Sequence, residues 1–320
     1  FLAGSPDVPA IRIEDLHKSF GEVQALAGLD LVVEPSSVFG FLGPNGAGKT
    51  TTIRILAGLA RADAGQAWID GLDVAADRRR VAGRIGYLPQ DPVFYPWMTA
   101  REFVDHVGRV FGLPAQERLS RTHELLRLVG LAEVAHRRVG GFSGGMGQRL
   151  GIAQALVNRP PVLLLDEPVS GLDPAGRREL LHLIDQLRGQ CTVFMSTHIL
   201  ADVERVCDTV AIIDRGRLLA IAPQQELLGQ YAVPAFELEV GKEFVEQLSA
   251  WAGSLRSLSW VTSVSRDRAA ARVVVSDLET ARRELLASAL SAGLVLDRYE
   301  IVRPSLEDVF LRLVESGGQT

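Results

Sequence analysis

Lys49 stands inside Gly43-Pro44-Asn45-Gly46-Ala47-Gly48-Lys49-Thr50-Thr51, a glycine-rich run ending in a lysine and two hydroxyl residues. Glycines let backbone N–H groups turn inward around an anion, and a helix that follows adds the positive end of its dipole. In the spacing G-x-x-x-x-G-K-[ST], the lysine reaches β- and γ-phosphates and the next hydroxyl, here Thr50, binds Mg²⁺. Lys18, Lys49 and Lys242 are the only lysines in the chain, so composition does not account for one inside this loop. Further on, Val162-Leu163-Leu164-Leu165-Asp166-Glu167 ends an apolar run in two carboxylates. At the end of a buried strand, Asp166 can hold Mg²⁺ through water, and Glu167 can face the γ-phosphate as general base. The bland alternative is an acidic strand end facing solvent.

A second glycine turn, Phe142-Ser143-Gly144-Gly145-Met146-Gly147-Gln148, opens another helix but holds no lysine. Ser143, Gly144 and Gly145 have the build of an anion nest at a helix N-terminus, or of an ordinary helix cap. Two phosphate-binding devices with one lysine between them point to an ATPase whose site is completed by another subunit. His198 follows the apolar run Thr192–Ser196. Strand ends in an open α/β sheet face the ligand crevice, so this histidine could contact the γ-phosphate, although a lone histidine is more often structural. Gln90, after Tyr87-Leu88-Pro89, carries an amide able to ligate Mg²⁺ or the attacking water, or is a plain loop residue.

The elements that must position these groups alternate along the chain. Residues 11–42 read as short strands, with Val38–Leu42 leading into the glycine loop. Thr50–Leu59 has helical spacing, and Arg84–Leu88 is a short strand. From Asp91 to Phe142 the pattern turns helical: Thr99 can cap a helix with Glu102 three residues on, and Ser120–Val129 makes a second amphipathic helix. The expected continuation is helix Gly144–Asn158, strand Val162–Leu165, helix Pro174–Leu187, strand Thr192–Ser196, helix Ile199–Val206 and strand Val210–Asp214. The pattern breaks near Val233-Pro234, after which strands at Phe236–Val240, Arg272–Val275 and Leu294–Ile301 flank helices at Phe244–Trp251 and Leu278–Leu290. The expected fold is α/β: a P-loop NTPase core with a mainly parallel sheet, an N-terminal antiparallel β subdomain, an inserted helical subdomain and a small C-terminal ferredoxin-like domain. The expected domains are a flexible segment 1–10, a nucleotide-binding domain 11–232 with its helical subdomain at 91–142, and an accessory domain 235–320.

Composition narrows the class. In 320 residues with 47% hydrophobic content there is no apolar run long enough to cross a membrane. Residues 1–10 lack the basic start and apolar core of a secretory signal. Two cysteines, Cys191 and Cys207, make neither a disulfide framework nor a zinc site, so a reduced, cytoplasmic protein is expected. A net charge of −5 needs no basic face and speaks against nucleic acid as the main partner.

The ordered set of Gly43–Thr51, Gln90, Ser143-Gly144-Gly145-Met146-x-Gln148, Leu165-Asp166-Glu167-Pro168, Ser170-Gly171-Leu172-Asp173 and Thr197-His198 resembles the ATP-binding cassette family over about residues 11–230. The resemblance implies two cassettes, as a homodimer or a pair of paralogues, sandwiching two ATP molecules with Mg²⁺. Each ATP would lie between the phosphate loop of one cassette and the signature serine of the other. It further implies that Phe20 stacks on adenine, that Asp173 belongs to a loop linking the two sites, and that Gln90 couples ATP to a membrane partner. Gly147 stands where such signatures usually carry Lys, Arg or Gln, Phe142 replaces the usual leucine and Phe20 the usual tyrosine. These departures bear on the strength of the contact between cassettes rather than its existence.

The tail from Ala235, with Pro304-Ser305-Leu306-Glu307-Asp308-Val309-Phe310, resembles the C-terminal extension of bacterial exporter cassettes whose membrane permease subunits are separate chains. The expected role is thus an ATPase peripheral to the cytoplasmic face of the cell membrane, driving export. The alternative is a cassette ATPase acting on nucleic acid or ribosomes. That class usually needs a coiled-coil insertion, zinc cysteines or two cassettes in one chain, and none is present. Pro96-Trp97-Met98-Thr99 reads as a docking surface for helices of the membrane subunit.

Overall fold

The N-terminal alternation folds as a long hairpin rather than as isolated short strands. β1 (Ile11–Phe20) pairs antiparallel with β2 (Val23–Val33), burying Ile11, Ile13, Leu16, Leu29 and Leu31. β3 (Val38–Leu42) leaves this layer, and β4 (Ala64–Ile69) with β5 (Leu72–Asp73) completes it in the order β2-β1-β4-β5. The computed structural model describes residues 8–231, 234–302 and 310. Residues 1–7 of the N-terminal segment and the tail residues 304–309 lie outside these described residues.

The central sheet explains itself by composition. β3, β7 (Val162–Asp166) and β8 (Thr192–Thr197) are buried at every position, as strands covered on both faces must be. With β6 (Ile85–Leu88), β9 (Thr209–Asp214) and β10 (Arg217–Pro223) they form a six-stranded sheet, order β10-β9-β3-β8-β7-β6. All its neighbours pair in parallel except β10 with β9. Phe39 and Phe194 stack at 5.4 Å between ring centroids, and Phe41 packs on Phe194 at 5.2 Å. The crossovers include α1 (Lys49–Leu56) after β3 and α2 (Arg78–Ala82) before β6.

Between β6 and β7 lie α3 (Ala100–Val110), α4 (Ala115–Leu128) and α5 (Gly144–Ala155). α4 begins at Ala115, ahead of the apolar spacing from Ser120, because its first turn (Ala115-Gln116-Glu117) is polar and largely solvated. α6 (Pro174–Gln186) follows β7 and α7 (Leu200–Val206) follows β8.

The chain divides into two compact units between Gln224 and Gln225. α8 (Gln224–Tyr231) spans the junction, and the second unit follows β11 (Ala235–Val240), α9 (Val245–Leu255), β12 (Val261–Asp267), β13 (Ala270–Val275), α10 (Leu278–Ser291) and β14 (Leu296–Val302). Its sheet is antiparallel in the order β12-β13-β11-β14, the β-α-β-β-α-β arrangement expected of a ferredoxin-like unit. Phe236, Leu248, Trp251, Trp260 and Leu285 fill a core of its own. β12 is absent from the sequence reading because Val264 is its one buried side chain, which leaves no alternation to detect.

Thr99 caps α3 as its spacing predicts. The hydroxyl accepts from the Glu102 backbone N–H at 3.2 Å, and the Glu102 carboxylate accepts from the Thr99 N–H at 2.8 Å. Thr99→Ala removes half of this reciprocal pair and is expected to cost about 1 kcal/mol, read as a lower urea midpoint at unchanged slope.

Candidate functional site

The glycine loop joins β3 to α1, so its curvature is imposed by two fixed elements. Gly48, just ahead of α1, has φ +107°, and a Cβ there would meet the Ala25 carbonyl oxygen at 2.6 Å. Gly46 has φ +84°. Side chains are strained at both positions, which is why the loop carries glycine. Lys49 opens α1 with only 4% exposure, and its ammonium donates to the Gly43 and Pro44 carbonyls at 2.8 and 3.0 Å.

Parallel register brings the acidic strand to this loop. β7 and β8 set Asp166 beside Ser196, while β3 and β8 set Leu42 beside Thr197. Thr50 Oγ1 donates to Asp166 Oδ1 at 3.1 Å and Ser196 Oγ donates to the same oxygen at 2.8 Å. Ser196 Oγ also accepts from the Glu167 N–H at 2.9 Å. Burial pushes the Asp166 carboxyl above its ordinary pKa, the two hydroxyl donors pull it back, and the Glu167 charge pushes it up further. Glu167 itself adopts φ +45°, a left-handed turn off the strand end. That turn aims its carboxylate at two cations or potential cations: Lys49 Nζ at 3.2 Å and His198 Nδ1 at 3.0 Å.

Lys49, Thr50, Glu167 and His198 line one cleft of about 550 Å³ together with Asn45, Gly46, Gly48, Thr51 and Gln90, and Asp166 lies buried behind Thr50. Val23, Ala25 and Ser170 also line it. Val23 and Ala25 come from β2, a contribution that no local motif announces. Ser196 was equally hidden, because its role depends on strand register rather than on neighbours in sequence. The cleft offers a lysine, a hydroxyl backed by the buried Asp166 carboxylate, and a second carboxylate hydrogen-bonded to an imidazole. That set suits a polyphosphate with a divalent cation and an attacking water.

Other candidate residues stand elsewhere. Phe20, at the end of β1, is 57% exposed with the Lys18 ammonium 5.2 Å from its ring centroid. Ser143 caps α5 by accepting from the Met146 N–H at 3.3 Å, and both Ser143 and Gly144 are exposed. Gly145 follows inside the first turn of α5. Asp173 caps α6, accepting from the Gly176 N–H at 3.1 Å. None of these five lines the cleft of its own chain.

Comparison with known proteins matches both parts of the chain. The ABC transporter family matches residues 26–170, and the C-terminal domain of DrrA1-3-like ATP-binding proteins matches residues 225–314. The uncharacterized ABC transporter ATP-binding protein YxlF of Bacillus subtilis is 42% identical over 96% of this chain and 100% of its own length. The chain belongs to the ABC transporter ATP-binding protein family. The daunorubicin resistance ATP-binding protein DrrA2 of Streptomyces coeruleorubidus is 37% identical over 95% of this cassette and 94% of its own length. A dimeric ATP-binding cassette solved in a post-hydrolysis state with ADP and Pi is 26% identical at a TM-score of 0.60, covering 67% of this chain and 98% of that one. The cassette is therefore an ATP-binding subunit with ATPase activity coupled to transport. Among the described residues, no helix is long and apolar enough to cross a membrane.

Ser196→Ala is expected to leave the buried Glu167 N–H without an acceptor. The cost is about 1–3 kcal/mol of stability, measured by urea unfolding, and Ser196→Thr should recover most of it.

Proposed function

We propose that the cleft binds the triphosphate of ATP and that each site is completed by a second cassette. In this reading Gly43, Pro44, Asn45, Gly46, Ala47 and Gly48 wrap the phosphates, Lys49 leaves the Gly43 and Pro44 carbonyls for the β- and γ-phosphates, and Thr51 supports the loop. Phe20 stacks on adenine. Thr50, Asp166 and Gln90 offer hard oxygen donors, and the 3.1 Å separation of Thr50 Oγ1 from Asp166 Oδ1 fits a small divalent cation such as Mg²⁺. Bound there, Mg²⁺ would neutralise phosphate charge. Glu167 takes the proton of the attacking water, and His198, held against its carboxylate, contacts the γ-phosphate.

The first turn of α5 carries the shared-site reading. A Cβ built on Gly144 or Gly145 would meet nothing closer than 3.9 Å, and neither glycine has positive φ. Each glycine in a helix costs about 1 kcal/mol relative to alanine. Nothing among the described residues requires that cost, whereas close approach of another molecule's phosphates would. Ser143, Gly144 and Gly145 would therefore serve the ATP of the partner cassette, with Asp173 in the loop that links both sites. The dimeric arrangement of the solved cassette relative supports this pairing.

Transport would run through permease subunits on separate chains, with the cassette peripheral to the cytoplasmic face of the membrane. Val93, Trp97 and Val110 are 89%, 64% and 73% exposed beside a 610 Å³ groove that Phe94, Tyr95 and Phe103 also line, and this favours docking of an apolar helix. The C-terminal family match and the daunorubicin resistance relative support export of antibiotic-like compounds. The net charge of −5 gives no support to a nucleic-acid partner. The 11–232 and 235–320 segments then act as motor and accessory domain, the latter in dimerisation or regulation.

Glu167→Gln should keep ATP binding while turnover falls by about 10²–10⁴, with an ATP-bound dimer accumulating on size-exclusion chromatography; unchanged turnover rejects Glu167 as the base. Ser143→Arg should spare nucleotide binding yet abolish hydrolysis. Undiminished hydrolysis in that variant removes the shared site.

A further inference from the structure

α6 and α7 start from the two loops that flank the acidic end of the cleft. α6 is capped by Asp173, and α7 begins two residues after His198. The helices pack on each other, and one polar contact joins their first turns: Arg177 Nε donates to Asp202 Oδ1 at 2.6 Å. The partners differ in setting. The Asp202 side chain is 1% exposed, the Arg177 side chain 32%. Asp202 Oδ2 is also buried and finds no hydrogen-bond partner among the described residues. Burial lifts the Asp202 carboxyl above its ordinary pKa, while Arg177, His198 and Arg205 favour its charge.

A half-satisfied carboxylate buried against a partly solvated guanidinium is a poor stabiliser, and an apolar pair of similar volume would hold the helices at least as well. What an apolar pair lacks is direction. A single short, charge-assisted bond sets the separation and rotation of two helix starts, and both starts carry site residues. His198 has little else to fix it: its side chain is 41% exposed, and its hydrogen bond is to Glu167.

We propose that Arg177 and Asp202 are positioning residues for ATP hydrolysis. Their ion pair locks the Ser170–Asp173 loop to the Thr197-His198 loop, so that His198 stays against Glu167 and moves only together with Asp173. The proposal rests on the reading of Glu167 and His198 as the hydrolytic end of the site.

The test uses the full chain at fixed protein concentration. Asp202→Asn keeps volume and one acceptor but removes the charge; Arg177→Met with Asp202→Leu replaces the pair by an apolar contact. Both should retain a wild-type melting temperature within a few degrees and an ATP dissociation constant within about twofold, while kcat falls about tenfold or more at saturating ATP. Wild-type kcat in a folded apolar double variant shows the pair to be structural and overturns the proposal. Should that variant fail to fold, Asp202→Asn decides alone: wild-type kcat overturns the proposal, and a tenfold loss with unchanged ATP affinity sustains it. Glu167→Gln measured alongside separates the two readings. If it turns over normally, the hydrolytic assignment itself is wrong; if it is dead while the pair variants are active, only the positioning role fails.

Discussion

One hydroxyl, Ser196 Oγ, holds the chemical end of this cassette together. It gives its proton to Asp166 at 2.8 Å and accepts the Glu167 N–H at 2.9 Å, so it ties the last residue of β7 to the first residue beyond it. The Glu167 N–H needs that acceptor because the left-handed turn takes this residue out of the β-ladder. With the turn satisfied, the Glu167 carboxylate has a fixed exit direction between Lys49 and His198. Without it, a buried donor would be orphaned and the turn would relax toward extended backbone. Parallel register is the deeper requirement, since a slip of one residue would point Ser196 to the other face of the sheet.

The two glycine turns obey opposite logics. In the phosphate loop the requirement is internal: at Gly48 a side chain would strike the Ala25 carbonyl, and the backbone angle excludes most residues regardless. At Gly144 and Gly145 the space is open and the backbone is helical, so these glycines satisfy no demand from the described residues around them. The first kind folds a site, and the second keeps a surface bare. Gly147 belongs with the second kind, with only the Phe94 ring at 3.7 Å from a Cβ built there. That adds further backbone freedom to a helix start already capped by a 3.3 Å serine bond.

Residues that act through local sequence were legible, and residues that act through register were not. Lys49, Thr50, Asp166 and Glu167 could be read because the loop precedes a helix and the carboxylates end an apolar strand; the structure brings Lys49, Thr50 and Glu167 into one cleft, with Asp166 hydrogen-bonded behind Thr50. The Thr99–Glu102 box could be read for the same reason, being complete within four residues. Val23 and Ala25 reach the cleft, and Ser196 reaches Asp166 and Glu167, only through strand pairing, which no local pattern encodes. β4 escaped because its first three residues are exposed and Gly65 interrupts it at φ +80°. β10, like β12, is an edge strand with little burial, so its side chains do not alternate in a detectable way. The parallel strands with unbroken apolar runs were the opposite case, and there only the end residues shifted.

Exposed apolar surface is distributed unevenly, and the distribution carries meaning. On the open face of the C-terminal sheet, charges ladder across the strands: Arg272 faces Glu237 at 3.7 Å, and Arg298 faces Glu239 at 3.2 Å. Such pairs add about 0–1 kcal/mol each, so their main effect is to keep that face hydrated. The segment around Val93–Trp97 in the first unit does the reverse, leaving a valine and a tryptophan largely in water beside an apolar groove. Its rings are already ordered by one another, Phe94 edge-on to Phe103 at 5.2 Å and Tyr95 against Trp97 at the same distance. A pre-ordered aromatic surface loses little entropy when it is covered. This segment also starts just after Gln90, whose carbonyl accepts from the buried Gln148 amide at 2.8 Å. That hydrogen bond ties the loop lining the cleft to α5, the helix that Ser143 caps, at the edge of the aromatic surface.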